Sequence, residues 1–153
     1  MRGKFSRLGF TLVEVLVVML IMGILASSFT IVYRRYAQGR ATEREAQRLS
    51  RWLTNLATLS NRTGRSFRLV CPGSFTRGYI EVIWLNPLER VTYTSVYGCV
   101  FRRLGGQNVD SLYSPQWSAM VPTITIEVSR GRERHYVIVS QSGRVRTSSR
   151  PPP

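Results

Sequence analysis

One histidine, one aspartate, one lysine and two cysteines in 153 residues leave this chain short of the side chains most enzymes use. A lone His135, a lone Asp110 and scattered serines supply no nucleophile, base and orienting group acting as a set. No C-x-x-C pair, acidic cluster or glycine-rich phosphate loop is present either. The expectation is a protein that is not an enzyme, with no metal and no cofactor. His135, beside Tyr136 in a strand-like stretch, reads as a sheet residue. Proline is missing before Pro72, so nothing breaks a helix in the first part of the chain. Internal repeats are missing as well.

What is present begins with a basic leader, Met1 to Gly9, carrying Arg2, Lys4 and Arg7. It runs into an apolar stretch from Phe10 to Tyr33 in which Glu14 is the only charge. As a helix at ~1.5 Å per residue this run is about 36 Å long, enough to cross a hydrocarbon core of ~30 Å. Leu, Val, Ile and Met dominate, and Gly23 is the one weak helix former. One transmembrane helix is predicted. A carboxylate in such a segment costs roughly 2.5–3.5 kcal/mol on insertion scales, so Glu14 needs a fixed partner and is a candidate functional residue. The competing reading is a secretory signal peptide, with Ala26, Ser27 and Ser28 as its small residues. The length of the run and Glu14 weigh against it. Positive charge does not orient the span, because Arg34, Arg35 and Arg40 follow it as closely as the leader precedes it.

The run Gly9 to Val18, G-F-T-L-V-E-V-L-V-V, resembles the class III leader of type IV pilins and pseudopilins. That resemblance implies a prepilin peptidase cutting after Gly9 and N-methylation of the new terminus, Phe10. It implies that Glu14 pairs with the free amine of a neighbouring subunit in a filament. It also sets the topology: leader in the cytoplasm, Tyr33 onward outside the inner membrane. Many members of the family have a proline deeper in this helix, and this chain does not.

Beyond the membrane the helix is expected to continue. Ala46, Leu49, Leu53 and Leu56, with Trp52 and Leu59, recur at three- and four-residue spacing, while Arg40, Arg44, Arg48 and Arg51 form a solvated row opposite. Glu45 is placed to meet Arg48 across one turn as a surface pair. Asn61 to Gly64 supplies the stop signal. After Gly64 the period falls to two, with strands expected at Ser66–Cys71, Tyr79–Leu85, Val91–Ser95, Cys99–Leu104, Thr123–Ser129 and Arg134–Gln141. Asn86-Pro87 and Ser129-Arg130-Gly131 read as turns, and Gly105 to Pro122 as a long surface loop. The expected organisation is a leader (1–9), a membrane and filament-core helix (10–33), its amphipathic continuation (34–62), a β-rich domain outside the cytoplasm (63–147) and a flexible tail (148–153). The fold class is α+β, a long helix packed on an antiparallel sheet. Cys71 and Cys99 have two open readings. In an oxidising compartment a disulfide between them contributes ~3.5 kcal/mol; otherwise they are two core thiols.

Twenty-one arginines give a formal charge of +14, a surface suited to bidentate contact with phosphates or carboxylates, or simply an arginine-rich surface without a ligand. The amphipathic helix ending at Gly64, the strand after it and the segment Ser140 to Arg146 resemble the minor pseudopilins that unite the H component of type II secretion (GspH) with the FimT minor pilins. This implies a role in a type II secretion pseudopilus or a type IV pilus, with the major subunit and other minor pseudopilins as partners. FimT-like proteins that take up DNA carry G-R-x-R near the C-terminus, and Gly143-Arg144-Val145-Arg146 matches it. In an extended chain Arg144 and Arg146 project to one side, ~7 Å apart, and suit successive phosphates. Arg130, Arg132 and Arg134 extend that candidate DNA patch. The alternative is a polar hairpin turn with ordinary solvated arginines.

Overall fold

The computed structural model describes residues 11–71, 73, 76–105 and 109–152. One helix, α1, spans Leu12–Thr63. The chain divides into two compact units, Met1–Tyr36 and Ala37–Pro153, and α1 contributes to both.

In the first unit every residue from Leu12 to Thr30 is exposed. Three hydroxyls in this stretch bond back to carbonyls four residues earlier: Ser27 to Gly23, Ser28 to Ile24 and Thr30 to Ala26. Small polar residues are thereby satisfied inside the helix, which a lipid surround requires.

In the second unit α1 buries the apolar stripe. Ala46, Leu49, Leu53 and Leu56 are enclosed in one core with both sheets, and Trp52 is packed against it. Arg40, Arg44, Arg48 and Arg51 are exposed, as a solvated row should be. Leu59, expected on the stripe, is 49% exposed. Ser60 takes the inward position instead, its hydroxyl donating to the Arg65 carbonyl just past the helix end. Gly64 follows at φ 68°, the left-handed conformation that ends helices cheaply only with glycine.

Among the described residues nine strands follow: β1 Phe67–Val70, β2 Tyr79–Trp84, β3 Glu89–Thr94, β4 Val100–Arg103, β5 Ser111–Ser114, β6 Ala119–Val121, β7 Ile124–Arg130, β8 Glu133–Val139 and β9 Val145–Ser148. They form two antiparallel sheets, one ordered β3-β2-β1-β5-β6 and the other β4-β7-β8-β9. The fold is α+β. Tyr93 joins its parts: its ring lies 5.0 Å from Trp52 of the helix and 5.8 Å from Phe101 of the second sheet.

The stretch expected to be a long loop contains β5 and β6. Two features hide them. They are only four and three residues long, and β5 reads Ser-Leu-Tyr-Ser with Ser111 buried and Leu112 exposed, against the usual hydropathy. Their pairing is also non-local, because β5 lies on β1 through Phe67↔Tyr113 and Leu69↔Ser111. The segment expected as tail begins inside β9, where Ser148 pairs with Tyr136.

Candidate functional site

The N-terminal candidate can be built from Thr11 onward; Gly9 and Phe10 lie outside the described residues. Thr11 caps α1. Its hydroxyl accepts from the Glu14 amide at 3.2 Å, while the Glu14 carboxylate accepts from the Thr11 amide at 3.1 Å and its hydroxyl at 3.2 Å. This reciprocal arrangement is a capping box, encoded by T-x-x-E. The negative charge also sits at the positive end of the helix dipole. Glu14 is therefore held in the first turn of α1, at the head of the segment Leu12–Thr30, whose mean hydropathy is 2.4. By length and composition that segment is able to cross a membrane. Its apolar side chains are bare, from Leu12 at 75% to Val15 at 44% exposed.

The arginine candidate separates into two places. Gly143 and Arg144 lie in the turn between β8 and β9, and Arg146 stands opposite Ile138. Arg130, Arg132 and Arg134 surround the turn between β7 and β8, at the other end of β8. Arg134 pairs with Ser129, four residues along β8 from the partner of Arg146, or about 13 Å at ~3.3 Å per residue. All five arginines are exposed, but they do not form one compact patch. Arg134 and Arg146 share the outward face of the second sheet by strand alternation. Glu127 of β7, opposite Tyr136 on the side of β8 away from Arg146, is 4% exposed, bound by Arg102 at 3.1 Å and approached by Arg134 at 3.9 Å. That carboxylate draws Arg134 away from the role of a free phosphate ligand.

Gly143 has a structural task. Its φ is 69°, and a Cβ there would meet the Ser118 carbonyl oxygen at 2.8 Å and the Tyr113 ring at 3.0 Å. The turn that presents Arg144 is thus pressed onto the β5–β6 hairpin, also through Met120 N donating to the Gln141 carbonyl.

Glu45, expected on the surface with Arg48, is completely buried. Its carboxylate accepts from the Tyr93 hydroxyl at 2.6 Å, the Ser95 hydroxyl at 2.9 Å and the amides of Val96 and Tyr97 at 3.0 Å each. A lone acid at an inward helical position, on the same face as Leu49, was the available signal. Burial first, and then the neighbouring Glu45 carboxylate, raise the Tyr93 hydroxyl well above its usual range. His135 lies in β8, with Nδ1 3.5 Å from the Thr42 hydroxyl, beside a polar cleft lined by Glu43, Gln47, Thr147, Ser148 and Ser149. Cys71 and Cys99 are buried free thiols in this structure. Burial pushes Cys71 up to about 12, partly offset by Arg103, and also raises Cys99. Groups of three or more metal-ligating side chains are absent among the described residues.

Residues 4–30 match the family model described as the prokaryotic N-terminal methylation motif. The match covers residues 4–9 of the leader and most of the apolar helix and does not reach the β domain. No curated protein and no solved structure matches the chain significantly. The N-terminus is a type IV pilin-like prepilin signal, followed by a helix of membrane-spanning length.

Proposed function

We propose that the chain is a minor pilin or pseudopilin subunit, a structural protein of a type IV pilus or a type II secretion pseudopilus. A prepilin peptidase removes residues 1–9 after Gly9, and the exposed Phe10 amine is N-methylated. The subunit rests in the inner membrane through residues 10–33, with its β domain outside the cytoplasm, until it joins the major subunit and other minor subunits. The observation that carries this reading is the methylation motif at residues 4–30 leading into a bare apolar helix with a single carboxylate in its first turn. A charge in lipid is tolerated when it meets an opposite charge, so Glu14 pairs with the amine of an adjoining subunit. Glu14→Ala is expected to be cleaved normally yet to be missing from sheared filaments. Normal recovery in filaments would refute the pairing.

A second reading, a FimT-like subunit that binds DNA, is favoured by one observation: Arg144, on a turn whose geometry Gly143 secures, and Arg146, at the start of β9, are both exposed. Phosphate contacts of this kind are sequence-independent and weaken steeply with salt. The test is a gel-shift titration of the full chain in detergent. Arg144→Ala/Arg146→Ala should bind at least tenfold more weakly than wild type, whereas equal binding across salt would exclude this reading.

A further inference from the structure

Arg103 is an anomaly of this fold. Alternation along β4 turns Phe101 and Arg103 inward together, in line with Cys99 just before the strand, and all three are buried. Arginine is 8% exposed here, and among the described residues no carboxylate pairs with it. One terminal nitrogen, Nη2, reaches the Thr123 carbonyl only at 3.4 Å, and the other, Nη1, is buried with no partner. A buried charge left this way costs several kcal/mol, and folded proteins normally compensate it.

Two further polar groups gather at the same end of the two sheets. Ser111 is fully buried and its hydroxyl also has no partner. It stands opposite Leu69 on β1, and Cys71 is two residues further along on the same inward side. Diagonal neighbours of that kind are ~7–8 Å apart. Arg103 reaches the same end of the fold, because the Thr123 carbonyl it approaches lies two residues past Val121, the β6 partner of Leu112 next to Ser111. A guanidinium fork with an unused N–H arm and a hydroxyl with an unused donor are thus brought together from different sheets. Both lack the same thing, an acceptor with several oxygens.

The geometry points to a binding site for a small free oxyanion of the phosphate or sulfate type, held by Arg103 and Ser111 beside Cys71. The guanidinium supplies charge and two-point contact, and the serine supplies a third donor. Near-complete burial selects against a polymeric phosphate, so this site is separate from the exposed Arg144 and Arg146 and does not depend on the DNA reading.

The test uses the full chain in detergent micelles, in chloride of matched ionic strength, with inorganic phosphate as the probe and sulfate and acetate as further arms. Equilibrium dialysis with labelled phosphate should give one saturable site per chain, and the thermal midpoint should climb with the logarithm of phosphate concentration. Sulfate should compete, and acetate, with two oxygens, should compete at least tenfold less well. Arg103→Met should abolish both effects and, without phosphate, unfold no earlier than wild type, because it removes an unpaired charge. Ser111→Ala should weaken binding roughly tenfold or more. Arg144→Ala/Arg146→Ala should bind phosphate like wild type. Absence of saturable binding to the wild type overturns the proposal, whatever the variants do. So does binding that disappears with Arg144 and Arg146, or an Arg103→Met protein that is clearly less stable in chloride alone.

Discussion

Glu45→Ala is the perturbation whose cost is most directly computed from the structure. The carboxylate accepts four hydrogen bonds, two from side-chain hydroxyls and two from the consecutive amides of Val96 and Tyr97. Hydrogen bonds to a charged group contribute ~1.5–3 kcal/mol each, and a stranded buried donor costs ~1–3 kcal/mol. The four are not additive, because water reaches the exposed Val96 side of the loop once the carboxylate is gone. Tyr93, by contrast, is 5% exposed and keeps its unsatisfied hydroxyl inside the core. A net loss of about 3–5 kcal/mol follows, which for a domain of this size lowers the thermal midpoint by roughly 10–20 °C. The assay is denaturant unfolding of the full chain in micelles, followed by near-ultraviolet circular dichroism, which reports Trp52 and Tyr93 packing. Tyr93→Phe removes one donor and should cost about 1–2 kcal/mol, and the double variant should cost less than the sum of the two. A loss below ~1 kcal/mol for Glu45→Ala would refute the claim that this residue ties the helix to the loop after β3.

Gly143→Ala should destabilise the domain by about 1–3 kcal/mol, since the new methyl meets a backbone oxygen at 2.8 Å in a left-handed conformation; an unchanged unfolding midpoint would contradict this. Stability should also decline in alkali. The Cys71 thiol is raised from 9.0 to about 12, so the folded state keeps its proton where the unfolded state has lost it. The contribution is complete below pH 9 and is lost as pH rises toward 12, at ~1.4 kcal/mol per pH unit over that window. Cys71→Ala should remove its share of this part of the pH–stability curve, leaving the contributions of Cys99 and Tyr93, whose protons are also held more tightly in the folded state, and an identical curve would refute the assignment.

Much of the architecture is legible from pattern because local geometry writes it. The apolar run that becomes Leu12–Thr30 needs no partner to be recognised, and the stripe at Ala46, Leu49, Leu53 and Leu56 follows from 3.6 residues per turn. Six strands follow from alternation. Reading the chain alone failed where a residue's surroundings come from far along it. Ser111 faces inward because β5 lies on β1, and Glu45 is buried because a loop fifty residues later folds over it. Leu59 and Ser60 exchange roles because the helix end is sealed by the Arg65 carbonyl.

The same division holds for the functional residues. Short-range chemistry along the chain was sufficient for the prepilin signal, since a basic leader and a hydrophobic run are properties of neighbouring positions, and the capping box that holds Glu14 is equally local. Nothing local could say that Arg144 and Arg146 lie at one end of β8 and Arg130, Arg132 and Arg134 at the other, or that Arg102 and Arg134 share Glu127. Nor could it show that Nη1 of Arg103 and the hydroxyl of Ser111, on strands from different sheets, are each buried without a partner. Electrostatics depends on distance through space and on exclusion of water, and both are set only when the sheets close on the helix.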